Sequence, residues 1–183
     1  MTGRTLVTGF LPFGGFSVNP SALLAESCGR TFELLEVSYA AVDAFLSSLA
    51  ARAGSFDRLL MLGLRGNGTF INLERLARNH IGPSPDVRDV VRGPAPIEAG
   101  APATLATTLF DPGIDLPVLR PSDDAGSYLC NYIYYRALRS FPTKAVGFVH
   151  VPPLDVVPLE TQRRELADLL ERLEHPPRAP GAA

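Results

Sequence analysis

Three side chains of this sequence have the types that acyl transfer needs: a thiol at Cys130, an imidazole at His150 and a carboxylate at Glu74. Cys130 lies in Asp123–Tyr135, DDAGSYLCNYIYY, where a polar, Gly-containing loop runs into an apolar segment of helical spacing, Gly126–Leu138. A helix start carries partial positive charge and unpaired N–H groups, which favour a thiolate over a thiol and can receive an oxyanion. His150 closes the apolar run Ala145–Val151, which Pro152-Pro153 stop, and an imidazole at the end of a buried strand needs a partner. Glu74 is the only acid in Thr69–Ala77, TFINLERLA. Thiol, base and base-orienting carboxylate form a nucleophilic triad whatever their order in the chain. Each also has an ordinary structural reading. Cys130, beside Leu129, Ile133 and Tyr134, can be a small buried hydrophobe, and His150 a satisfied core histidine. Of the three histidines, His80 falls in a Pro- and Gly-rich loop and His175 in the C-terminal tail. No second Cys or His stands at ligand spacing, so a metal is not expected.

The elements that must hold these groups follow from the pattern of apolar residues. Thr5–Phe10 and Arg58–Leu64 are apolar runs that suit buried strands, and Ala145–Val151 is a third. Phe32–Val37 and Leu116–Arg120 read as further strands, and Thr69–Ala77 as a strand or hairpin. Helices are expected from Asn19-Pro20-Ser21 through Ala25, over Ala41–Ala51 with Val42, Phe45, Leu46 and Leu49 inward, over Thr161–Leu173, and over a short piece, Ala103–Leu109. His80–Ala101 is a long loop without periodicity, the kind that is functional or mobile. Strands alternating with helices predict an α/β fold: one twisted, mostly parallel or mixed sheet with helices on both faces. Ligands in such folds gather beyond the carboxyl ends of the strands, where Leu11–Phe16 (LPFGGF) and Arg65–Gly68 (RGNG) would lie. Strand, Gly-rich loop and helix resemble a phosphate cradle, but no Lys-Ser/Thr follows the glycines. Phe10, Phe13 and Phe16 read instead as a flat apolar pocket wall or as core packing.

With 183 residues, 46% of them hydrophobic, the chain is large enough for one well-filled core and too small for two comfortable domains. Residues 1–174 are expected to form a single domain, with residues 175–183 a disordered tail. A net charge of −2 gives no footprint for nucleic acid. Two cysteines, Cys28 and Cys130, do not make a disulfide scaffold and suit a reducing compartment. The first ten residues carry neither a signal nor a membrane segment, so a cytoplasmic protein is expected.

Four stretches, in order, resemble the pyroglutamyl peptidase I family of cysteine peptidases, also called pyrrolidone carboxyl peptidases. TGFLPFGG at Thr8–Gly15, followed by Asn19-Pro20, is similar to the family's N-terminal signature. LERLARN at Leu73–Asn79 resembles the segment of the catalytic acid, AGSYLCN at Ala125–Asn131 that of the nucleophile, and GFVHVP at Gly147–Pro152 that of the base. The resemblance implies that Glu74, Cys130 and His150 are acid, nucleophile and base. It implies removal of an N-terminal pyroglutamyl residue from peptides without a cofactor, and assembly as a homotetramer or homodimer. It further implies that Phe10 and Phe13 sandwich the lactam ring, that Asn19, Tyr128 and Leu129 belong to the same pocket, and that the backbone at Leu64 bonds the lactam. A weak binding module, or a thiol amidase for a different N-terminal cap, is the alternative.

The chain departs from the family in places. Gly68 stands where the glycine-rich turn usually ends in Arg, and Gly82–Val87, GPSPDV, lacks the Arg of the family's ARIPDN segment. Ser38-Tyr39 replaces an adjacent Pro-Thr. An oxyanion would then be met by the backbone at the Cys130 helix start, or by Arg88 or Arg92 from the same loop.

Overall fold

The computed structural model describes residues 3–110 and 118–175. Its elements, in chain order, are β1 (Thr5–Phe10), α1 (Pro20–Ser27), β2 (Thr31–Leu35), α2 (Tyr39–Ala51), β3 (Arg58–Leu64), β4 (Ile71–Glu74), β5 (Leu76–Arg78), β6 (Thr104–Ala106), β7 (Leu119–Ser122), α3 (Leu129–Ser140), β8 (Ala145–Val151) and α4 (Leu159–Glu174). Six strands form one sheet in the order β2-β1-β3-β8-β4-β7, and β5 with β6 form a separate antiparallel pair. The first four strands of the sheet are parallel; β4 runs antiparallel to β8, and β7 parallel to β4. This is the mixed α/β sheet expected.

The three central strands read as unbroken apolar runs because both faces are covered. Side chains alternate between two cores. Leu59, Met61 and Phe148 pack with residues of α2 and α3, while Leu60, Leu62 and Val149 pack with Leu24 of α1 and Leu166 and Leu169 of α4. Each such buried side chain contributes about 1.5–3 kcal/mol relative to exposure. The parity puts Gly63 and His150, direct register partners on β3 and β8, on the face covered by α3.

Helix starts follow their caps. Asn19 accepts from the Ser21 amide and Ser38 from the Ala41 amide, so α1 and α2 begin where their N–H groups are satisfied. The helix expected from Gly126 starts at Leu129, because Gly126 has φ 78°, a left-handed conformation that no α-helix accommodates. Thr69–Ala77 divides into β4 and β5 at Arg75, whose amide bonds Ser122.

Ala103–Leu109 is not a helix. Thr104–Ala106 pairs with Leu76–Arg78 as β6, and the hydroxyls of Thr107 and Thr108 bond the Val146 and Lys144 carbonyls. β-Branched residues whose hydroxyls find tertiary partners forsake the helix. His80–Ala101 is irregular, as expected, but tied down. Ile81 bridges Ala95, the Gly82 amide bonds Ser127, and the buried Asp86 carboxylate accepts the amides of Tyr39, Arg88 and Val90. The strand expected over Leu116–Arg120 appears as Leu119–Ser122, and its first residues, with the expected tail beyond His175, lie outside the described residues. Among the described residues, no helix is long and apolar enough to cross a membrane.

Candidate active site

β4, α3 and β8 carry Glu74, Cys130 and His150 to one point beyond the middle of the sheet. His150 Nδ1 lies 2.7 Å from Glu74 Oε1, with Glu74 wholly buried and His150 nearly so. A ring whose Nδ1 is held by a carboxylate turns Nε2 outward, and Cys130 stands close enough to His150 to bias its protonation. Cys130 is the second residue of α3, half-buried. Its Sγ lies against Gly63, where an added Cβ would sit 2.9 Å from the sulfur and 2.7 Å from Phe148 Cζ. Any side chain at position 63 would therefore displace the thiol or the ring packed beside His150.

The charge state of His150 is set by its burial and its two neighbours. Burial, the largest single influence on His150, works against its charged form. The charge of Cys130 and hydrogen bonding to it, followed by the hydrogen bond and charge of Glu74, together outweigh burial and push the His150 pKa up to about 9. Glu74 is held from two further sides. Its carbonyl accepts from the Tyr134 hydroxyl at 2.9 Å, and Arg65 Nη1 stands 3.7 Å from Oε1. Arg65 also donates to the Asp124 carbonyl at 3.0 Å, so one guanidinium joins the acid to the loop leading into Cys130. By contrast, burial pushes the Cys28 thiol up, and its sulfur donates to the Ala25 carbonyl.

The start of α3 has no side-chain cap hydrogen bond, and Cys130 lies in its first turn. Asn131 fixes this helix end: its Oδ1 accepts the Arg78 amide, and its Nδ2 donates to the Arg78 and His80 carbonyls. Arg88 and Arg92 are occupied elsewhere. Arg88 forks onto Glu36, and Arg92 bonds Asp43 and the Tyr132 hydroxyl while lying over the Tyr39 ring. His80 and His175 are exposed.

The residues expected around a substrate are placed unevenly. Phe10 is buried at the end of β1, and Phe13 is partly buried against the same core. Asn19 is buried and braces the loop between them and α1, donating to the Leu11 carbonyl and accepting from Ser21. Tyr128 is partly exposed, its hydroxyl bonded to the Pro85 carbonyl. Leu129 is wholly buried, so its backbone, not its side chain, is what a ligand can meet. Leu64 ends β3 beside Gly63. Gly63, Arg65 and Asn131 were not singled out from the sequence. A glycine interrupting an apolar strand, and an Asn directly after the Cys, were the available signals.

A family model described as pyroglutamyl peptidase matches residues 3–164. The chain is 30% identical over 172 residues to the pyrrolidone-carboxylate peptidase of Vibrio vulnificus, covering 82% of this chain and 79% of that protein. It is 31% identical over 171 residues to the one from Pyrococcus furiosus, covering 81% and 80%. The solved structure of pyrrolidone carboxyl peptidase from Thermococcus litoralis superposes with a TM-score of 0.78 at 27% identity, over 94% of this chain and 93% of that one.

Proposed function

Because the chain belongs to the pyroglutamyl peptidase family, it is a cysteine-type hydrolase that removes N-terminal pyroglutamate from peptides, and we propose that Cys130, His150 and Glu74 are the groups that perform the reaction. The observation that carries this assignment is the Glu74–His150 hydrogen bond with the Cys130 sulfur beside Gly63, the register partner of His150, at a helix start without a side-chain cap. His150 holds the proton of the Cys130 thiol. The sulfur adds to the carbonyl that joins pyroglutamate to the next residue. The oxyanion is met by amides of the first turn of α3, since Arg88 and Arg92 are both engaged elsewhere. The imidazolium then gives its proton to the leaving amine. Water, relieved of a proton by His150, cleaves the thioester and frees pyroglutamate and the thiol. Glu74 keeps the ring oriented and supports its charged form, and Arg65 steadies Glu74.

The lactam lies between Phe10 and Phe13, with the backbone at Leu64 and the Tyr128–Leu129 end of α3 completing the pocket, and Asn19 holding the loop that carries Phe13. An uncharged ring with one N–H and one C=O suits an apolar slot with a backbone donor and acceptor. A reduced thiol nucleophile suits the cytoplasm. Exposed Val87, Val90 and Val91 favour a homodimer or homotetramer.

The test is turnover of pyroglutamyl-, prolyl- and alanyl-anilides by wild type and Cys130→Ala. Hydrolysis of the pyroglutamyl compound alone, abolished in Cys130→Ala and kept in Cys28→Ser, is expected. Full activity in Cys130→Ala would end the assignment of the nucleophile, and equal turnover of the prolyl compound would contradict the lactam pocket.

A further inference from the structure

The row of residues that carries the chemistry runs on past His150, and the reaction as described leaves its far end unused. β3 and β8 set Gly63 level with His150, and β8 and β4 set His150 level with Asn72. On the other side, β1 pairs Thr8 with Met61, and the same register carried two residues on brings Phe10 level with Gly63. Four adjacent strands, β1, β3, β8 and β4, thus present Phe10, Gly63, His150 and Asn72 in line across the sheet. All four belong to the face covered by α3. Phe10 and Phe148 pack in the core with Leu129 and Tyr134, whereas Ile71 and Leu73, which flank Asn72 along β4, turn to the α1/α4 side. Neighbouring strands lie about 4.8 Å apart, so Asn72 stands one strand spacing beyond His150.

Asn72 is the odd residue of its strand. Ile71, Leu73 and Glu74 are buried, while Asn72 is half-buried. Asparagine is disfavoured in strands, and its carboxamide brings two donors and an acceptor that need partners. The Asn72 side chain makes no hydrogen bond among the described residues. Its polar neighbours are committed elsewhere: Glu74 holds His150, and Arg65 donates to the Asp124 carbonyl. A residue that suits its strand poorly and keeps its donors unspent beside the reacting groups is where function, not folding, is expected to have chosen the side chain.

The order along the row indicates the ligand. The proposed lactam slot lies at the Phe10 end, the attacking sulfur rests on Gly63, and His150 protonates the leaving amine. The chain that follows the scissile bond then departs on the Asn72 side. Its first polar group past the amine is the carbonyl of the residue after pyroglutamate, whose carbon is two bonds from that nitrogen. We propose that Asn72 Nδ2 donates a hydrogen bond to this carbonyl and so selects peptides over pyroglutamyl amides that lack it. Asn72 holds the leaving peptide and touches no reacting atom, which makes it a specificity residue. The assignment rests on the triad and the lactam slot proposed above, because they fix the direction in which the substrate crosses the sheet.

The experiment compares two substrates. Pyroglutamyl-alanine amide has the carbonyl, and pyroglutamyl anilide does not. Asn72→Ala should lower kcat/KM for the alanine amide about three- to tenfold more than for the anilide, the scale of one neutral hydrogen bond. Asn72→Val, a better strand former without a donor, should show the same difference, which separates the lost bond from a damaged strand. The alkaline limb of the pH profile should stay in place in both variants. Equal losses on the two substrates, or a shifted limb, would overturn the proposal and make Asn72 a support for His150. Binding is read by calorimetry in the Cys130→Ala protein. Pyroglutamyl-alanine amide should bind more tightly than pyroglutamic acid amide, and adding Asn72→Ala should cut that gain about three- to tenfold. An undiminished gain would also overturn the proposal. Absence of anilide hydrolysis by wild type would sink the proposed chemistry, while the binding comparison still decides Asn72.

Discussion

At the scale of single residues, the three side chains proposed for the chemistry could be singled out because each is a rare chemical type in a distinctive local setting: one helix-start cysteine, one strand-end histidine and one acid in an apolar stretch. Gly63 and Arg65 were not, because their roles exist only across space. The imidazole gives the first prediction. The His150 pKa stands at about 9, above its ordinary 6.5, so the folded protein binds this proton more tightly than the unfolded chain does. The resulting stability is fully present below pH 6.5 and is lost as the pH rises through 9. Denaturation midpoints should fall across that window, and Cys130→Ala, which removes the largest influence raising this pKa, should flatten the fall. The alkaline limb of kcat/KM should lie near the same value, since the leaving amine needs the imidazolium, and Glu74→Gln should move that limb downward. An unmoved limb in Glu74→Gln would make Glu74 a structural residue only. Gly63→Ala is the second prediction. Its Cβ would crowd both Cys130 Sγ and Phe148, so kcat should drop by about 10²-fold, the cost of a misplaced reacting group, with a folded protein by circular dichroism. Wild-type turnover in Gly63→Ala would show that the sulfur does not depend on this contact.

At the scale of elements, β3 and β8 were read from sequence to the residue, because strands covered on both faces are continuous apolar runs. Ala103–Leu109 was misread, since its structure is decided by partners on β5 and β8 that local periodicity cannot register. The start of α3 was placed three residues early for want of the Gly126 conformation. The seat of α3 now carries a prediction that separates two kinds of polar residue. Asn131 satisfies one amide and two carbonyls between β5 and His80, and Asn131→Ala would strip all three of their partner. It should cost about 2–4 kcal/mol in denaturant unfolding and lower kcat, because the nucleophile and the proposed oxyanion amides sit in the same turn. Arg88→Ala and Arg92→Ala should each lower kcat by less than about tenfold, well under the loss of an oxyanion donor. Arg92 braces Asp43, Tyr39 and Tyr132, so its removal should appear in stability. A loss of about 10²-fold in kcat at unchanged KM for either Arg would mean that it, and not the α3 backbone, meets the oxyanion.

At the scale of the whole molecule, the single α/β layer arrangement was legible, but not the reversal of β4, which is what brings Glu74 alongside Phe148 and His150. The sheet also divides the protein into two jobs. The α2/α3 face holds every group assigned to chemistry, while the α1/α4 face is packing. On that second face lies an imperfection. Glu165 of α4 is 3% exposed and lines a small void with Gln162 and the apolar Leu24, Val149 and Leu169. Its Oε1 reaches only the exposed Arg164, at 3.5 Å, and no donor among the described residues reaches Oε2. A buried carboxylate so poorly matched loses more solvation than its one loose contact returns. A leucine has nearly the shape and none of the cost. Glu165→Leu should therefore raise stability by about 1–3 kcal/mol in denaturant unfolding, with kcat/KM for a pyroglutamyl anilide within about twofold of wild type, because the substitution lies behind the sheet from Cys130. A lower unfolding midpoint would mean that the carboxylate is better satisfied than its contacts suggest. A large change in kcat/KM would mean that the two faces are coupled through β8, the strand that carries His150 on one side and Val149 and Val151 on the other.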